Sequence, residues 1–182
     1  MPLRTALPLL LAVSAPAAAL DLPALIECRQ GVADHATLAP LLADPLKAVA
    51  QALQPLPQGN PFISEYRLAQ PISVFGVNTE RVAVAGASVM AILDLPDPRP
   101  LAKRLELETG YDQDGKFMAG REVVSRDVTD SKTGEARIES IILSVSTVAS
   151  HPGKTLAGCT YSLDLPEEAA TPGASAPATS SH

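Results

Sequence analysis

The spacing of hydrophobic positions divides this chain into segments of different period. Residues 6–13 form a short unbroken apolar run behind Arg4, broken by Ser14, Ala15 and Pro16 and followed by Ala17, Ala18 and Ala19. A positive start, an apolar centre and small residues, in that order and size, predict an export signal cleaved after Ala19. The run is too short to span a bilayer, which takes about 20 residues. Cys28 stands well past the small residues, behind Leu25, Ile26 and Glu27, so it is not expected to be a lipid acceptor.

A helical period follows. Residues 24–28 lie behind Asp21 and Pro23 and predict a helical turn, and residues 36–42 are a second apolar stretch. Asp44-Pro45 predicts a helix start, with Asp44 as cap and Pro45 where a missing N–H costs nothing. Leu46, Val49, Ala50 and Leu53 recur at helical spacing and predict one apolar face. Pro55, Pro57, Gly59 and Pro61 predict the end of that helix and a loop.

The period then shortens to two. Residues 64–68, 72–77 and 81–93 read as extended, and the last run has the composition of a strand partly buried on both faces. Gly86 within it is expected at a bulge or a close backbone approach. Leu95-Pro96-Asp97-Pro98 stops the run, and Leu101 and Leu105 predict a short helix to about residue 107. Residues 117–128 and 138–148 predict a hairpin around 130–134. Ile141, Leu143 and Val145 share one face while Ser144 and Ser146 share the other, as in an antiparallel sheet with one wet side. His151-Pro152-Gly153 predicts a turn, and residues 154–165 the last strand. The fold expected is α+β: an antiparallel sheet of about five or six strands, N-terminal helices and one inserted helix. That domain covers residues 20–165, between the signal at 1–19 and a Pro/Ala/Ser/Thr-rich tail at 166–182. The tail lacks the apolar residues that offset ordering entropy and is expected to be disordered. No internal repeat is visible.

Composition narrows the chemistry. The chain of 182 residues carries net charge −6, aromatics are 3%, and Trp is absent. Mild acidity and scarce stacking groups give no support for nucleic-acid binding. In an oxidising compartment the pair Cys28 and Cys159 predicts a disulfide that pins the N-terminal helix to the last strand. A catalytic thiol or a metal pair would need a neighbouring motif that neither cysteine has.

Several short patterns imitate functional motifs and fall short. Gly153-Lys154-Thr155 resembles the end of a phosphate-binding loop, but Val148 stands where the first glycine belongs and a strand pattern follows instead of a helix. Asp112-Gln113-Asp114-Gly115 resembles part of a calcium loop. Gly110 and Arg121 occupy the two terminal ligand positions, so a polar turn is expected there. His35 and His151 are the only histidines before the tail, and they form no metal motif. Glu65, Glu80, Glu106, Glu108, Glu122, Glu135 and Glu139 are expected on solvated faces. No catalytic residue, metal ligand or cofactor is therefore assigned.

The function expected is that of an exported, periplasmic or secreted, non-enzymatic module. It would bind an envelope protein or a small ligand, with an inhibitor-like role as one form. The surfaces that would carry binding are Ser144, Ser146, Ser150, His151 and Lys154. One rival is a small hydrolase using His151, Ser150 and a distant carboxylate, which requires those groups within hydrogen-bond reach. Another is a structural accessory acting through the tail. Intact-mass measurement of the exported protein is expected to show a chain that begins at Leu20; retention of residues 1–19 would refute the signal.

Overall fold

The computed structural model describes residues 20–166. The expected signal and the tail beyond Pro166 lie outside the described residues. Four short helices open the fold: α1 (Leu22–Ile26), α2 (Val32–His35), α3 (Leu38–Leu42) and α4 (Pro45–Ala50). Asp21 caps α1 by accepting the Ala24 N–H at 2.9 Å, and Asp44 caps α4 by accepting the Leu46 N–H at 3.0 Å. Each satisfies an N–H that the helix itself leaves without a partner.

The end of α1 explains the cysteine that follows it. The Cys28 N–H bonds Leu25 O at 3.3 Å and the Arg29 N–H bonds Ala24 O at 2.8 Å, which leaves Cys28 at φ 57. Glycine ordinarily takes this left-handed position, which costs a residue with a Cβ about 1–2 kcal/mol. Its sulfur is bonded to Cys159, with the two Cα atoms 5.6 Å apart and a sequence separation of 131. A loop of that length restricts the unfolded chain by about 5 kcal/mol on the entropic account, more than the strained turn costs.

The remaining elements are β1 (Leu53–Pro55), β2 (Ser64–Val74), β3 (Val77–Ala85), β4 (Ser88–Leu93), α5 (Arg99–Arg104), β5 (Glu108–Gln113), β6 (Lys116–Thr129), β7 (Ala136–Ser146) and β8 (Thr155–Asp164). They build one eight-stranded sheet in the order β1-β2-β3-β4-β8-β7-β6-β5. Every neighbouring pair is antiparallel. Two meanders, β1 to β4 and β5 to β8, therefore meet along β4 and β8, and α5 carries the chain between them.

Eight strands correct the expected five or six. Leu53 belongs to β1 rather than to α4, because Ala52 at φ 62 breaks the helix and turns Leu53 into register with Leu68. β5 is exposed along its whole length, so it has no apolar period and is held by backbone pairing to β6. Asp114 at φ 51 and Gly115 at φ 73 form the tight turn joining β5 to β6, the preference of a two-residue hairpin. Residues 81–93 are two strands: Gly86 sits at φ 57 in the turn between β3 and β4 rather than at a bulge. The register shifts lie elsewhere: in β2 between Arg67 and Ile72, in β5 between Thr109 and Tyr111, and in β6 between Glu122 and Val124.

The two sheet faces are buried unequally. On one, Leu25 and Ile26 of α1, Leu38 of α3 and Leu101 of α5 join Val82, Val89, Leu143, Val145, Cys159 and Tyr161 in the main core. The face expected for α4 is overturned: Leu46 and Val49 are 82% and 55% exposed, and Ala48 is the residue that turns inward. Ala48 is the one buried residue of this six-residue helix, and the apolar residue that follows inward is Leu53 of β1. The opposite sheet face carries a second, smaller cluster of Ile63, Ala83, Ile92 and Leu156, with Val148 packed against it. Thus Val82 and its neighbour Ala83 are both buried, on opposite faces.

Gly158 sets the spacing at the seam between the meanders. A Cβ there would stand 2.6 Å from the Met90 Cα and would overlap the Val89 carbonyl. Gly158→Ala is therefore expected to lower stability by about 2–3 kcal/mol, the cost of forcing atoms into a filled space, as a reduced urea midpoint; an unchanged midpoint would refute a sterically closed seam.

Candidate functional site

The second sheet face holds a buried polar cluster that the sequence pattern did not mark. Strand alternation turns Tyr66 and Leu68 of β2 to the main core and Glu65 and Arg67 to the other side. Glu65 is only 8% exposed. It lies beneath the 56–63 loop and the 147–154 turn, which explains how a carboxylate expected on a solvated face becomes buried. A buried charge is tolerated only where it is paired and hydrogen-bonded. His151 Nε2 lies 2.8 Å from Glu65 Oε1, and Arg81 of β3 bonds Glu65 Oε2. Arg81 Nε is itself buried without a partner among the described residues.

The turn that supplies His151 is tightly folded. The His151 N–H bonds Val148 O at 3.0 Å, the Lys154 N–H bonds His151 O at 3.2 Å, and Gly153 sits at φ 71. The imidazole is thereby driven inward, 6% exposed, while Ser150 remains on the surface. Adjacent side chains usually diverge, yet Ser150 Oγ lies 2.9 Å from His151 Nδ1. Asn60 Nδ2 donates to Ser150 Oγ at 3.2 Å, joining the loop to the turn. An ionised Glu65 can only accept, so Nε2 is the donor in that bond. Nδ1 and the Ser150 hydroxyl share the second bond, in which a neutral ring accepts and a protonated ring donates.

Beside this cluster, at the register shift in β2, opens a cleft of about 570 Å³. Arg67, Arg81, Lys154, Asn78, Glu80 and Asp94 supply its polar lining. Arg67 and Arg81 are direct cross-strand partners, a placement that sets like charges side by side. Arg81 is offset by Glu65 and Lys154 is paired with Asp94. Arg67 is exposed and has no carboxylate partner among the described residues.

The residues expected to form a binding surface are divided by the fold. Ser150 and His151 belong to the buried cluster and its rim, and Lys154 lines the cleft. Ser144 lines a separate shallow depression of about 350 Å³ beside Met118 and Ile142. Ser146 pairs between Met118 and Leu156 and lines neither. Sequence reasoning missed Glu65, Arg81, Asn60 and Arg67. The alternation of Glu65 with Tyr66, on a strand preceded by a loop rich in proline, was the available signal.

The other motifs are spoken for. His35 stacks on Tyr161 with ring centroids 4.7 Å apart, on the helical face, so it does not meet His151. Burial lowers the His35 pKa and pushes that of Tyr161 up to about 12. Asp112 is gripped by Arg99 at 3.0 Å through Nε. Gly153-Lys154-Thr155 leads straight into β8, with Thr155 Oγ1 donating to Leu95 O at 2.7 Å. Glu139 is buried too, and the Val32 N–H at 3.0 Å, with Arg126, holds its carboxyl below the usual range. Among the described residues no three His, Cys, Asp or Glu side chains converge as a metal set, and no helix is long and apolar enough to cross a membrane.

Glu65→Gln removes the charge that Arg81 and His151 share. Arg81 keeps some access to water, so the loss is expected at about 3 kcal/mol, the lower end for a broken buried pair. Urea unfolding measures it, and a loss below about 1 kcal/mol, the worth of a surface pair, would refute the paired burial.

Comparison of the chain with protein-family models, curated proteins and solved structures finds no match, and the geometry alone carries the functional reading.

Proposed function

We propose that this chain is an exported, periplasmic binding module whose cleft takes a small polar ligand bearing an acid group. One observation carries the reading: Arg67 and Arg81 stand directly opposite one another and line the same cleft as Lys154. Like charges held side by side on a sheet are unfavourable. An anion between them would convert that repulsion into charge-assisted hydrogen bonds, for which the planar guanidinium is well shaped. Glu80 and Asn78 on the same lining favour a ligand that also carries a hydroxyl or amine, such as a hydroxycarboxylate. The Cys28–Cys159 bond supports the assignment to an oxidising compartment.

Calorimetry with citrate and with inorganic phosphate tests the reading. Citrate is expected to bind with an affinity that falls as salt is raised. Arg67→Gln is expected to weaken it about 10-fold to 100-fold, the worth of one charge-assisted hydrogen bond. Absence of binding by both anions at low salt, or an undiminished affinity in Arg67→Gln, would refute it.

A further inference from the structure

The buried cluster has a chemical capability that ligand binding does not use. Glu65, His151 and Ser150 form an ordered chain: Glu65 Oε1 to His151 Nε2 at 2.8 Å, and His151 Nδ1 to Ser150 Oγ at 2.9 Å. The carboxylate and imidazole are 8% and 6% exposed, whereas the serine faces solvent. Such an array is defined by roles and geometry rather than by chain order: a carboxylate orients the ring, and the ring's free nitrogen receives the hydroxyl proton. The serine here engages Nδ1 and the carboxylate Nε2. Either imidazole nitrogen can act as base while the other donates, so the chemistry is the same.

We infer that Ser150 is an activated nucleophile able to cleave small carboxylic esters. In the first half-reaction Ser150 Oγ bonds the ester carbonyl carbon, and its proton passes to His151 Nδ1. The bond from that carbon to the leaving oxygen breaks, and the alcohol departs with the proton from Nδ1. Water then attacks the acyl-serine, gives its proton to Nδ1, and releases the carboxylic acid as the proton returns to Ser150 Oγ. No redox step or further co-reactant is needed. Glu65 acts as a positioning residue that holds Nδ1 toward the serine. Asn60 Nδ2, 3.2 Å from Ser150 Oγ, is the amide donor beside the reacting centre. Ser150 stands on an exposed turn and lines neither the cleft nor the depression at Ser144. This activity does not rest on occupancy of the cleft, and it would make the expected non-enzymatic role incomplete.

The test uses the exported, disulfide-bonded chain with a fluorophosphonate probe and with p-nitrophenyl acetate. Ser150 is expected to be the labelled residue by peptide mass spectrometry, and ester hydrolysis should exceed the buffer blank. Ser150→Ala removes a hydroxyl that bonds His151 and Asn60 at the surface, so its urea midpoint is measured alongside. With the fold retained it should lose the label and return hydrolysis to the blank. A merely structural hydroxyl would leave the natural chain unlabelled under conditions that label a control serine hydrolase; that result, or hydrolysis unchanged in Ser150→Ala, would overturn the proposal.

Discussion

The bond between Cys28 and Cys159 is the constraint around which the rest of the structure is arranged. Cys159 lies in β8, the strand between β4 and β7 where the two meanders join. Cys28 closes α1 in a left-handed conformation, as Ala52 follows α4 and Glu106 follows α5, and it alone of the three carries a covalent partner. The bond therefore holds the helical segment against the seam of the sheet. Tyr161, two positions further along β8, completes the attachment by donating its hydroxyl to Leu25 O at 2.6 Å and stacking on His35. With the helices fixed there, one sheet face becomes the main core.

Among the described residues no helix packs on the apolar cluster of the other face, which is covered only locally. The 56–63 loop, through Ile63, and the 147–154 turn, through Val148, pack on Ala83, Ile92 and Leu156, a small apolar cluster. Polar groups make up the difference. Glu65, His151, Ser150 and Asn60 connect the sheet, turn and loop by successive hydrogen bonds, and Arg81 balances the buried carboxylate. Such a network rigidifies a site when every member is satisfied. The unpartnered Arg81 Nε is the exception, and it belongs to a residue that lines the cleft. The proposed cleft and the proposed nucleophile thus share one support, with Arg81 on one side and His151 on the other.

Much of the fold was legible along the chain, and the failures have physical causes. The cap Asp44 acts locally, through the Leu46 N–H two residues away, so its residue type and Pro45 suffice to place the start of α4. The turn expected over residues 24–28 lies two residues earlier, at Leu22–Ile26, because Asp21 caps it. The alternation of Ile141, Leu143 and Val145 with Ser144 and Ser146 reports a sheet with one buried side. β5 escaped because its partner supplies backbone bonds and asks nothing of its side chains. The apolar face of α4 misled because period locates a stripe without saying whether anything lies beneath it.

By itself, the sequence determined a mainly antiparallel sheet with short helices, the start of α4 at Asp44-Pro45, and the pairing of two cysteines. Each follows from contacts close along the chain, from strand period, or from there being only two thiols. The tertiary structure decided which carboxylates were buried, that His35 and His151 lie on opposite faces, and that Ser150 and His151 converge on Glu65. Those residues are separated by 86 positions from His151 to Glu65 and by 90 from Ser150 to Asn60. Their meeting depends on which strands pair and which loops fold over them, and no local propensity encodes that.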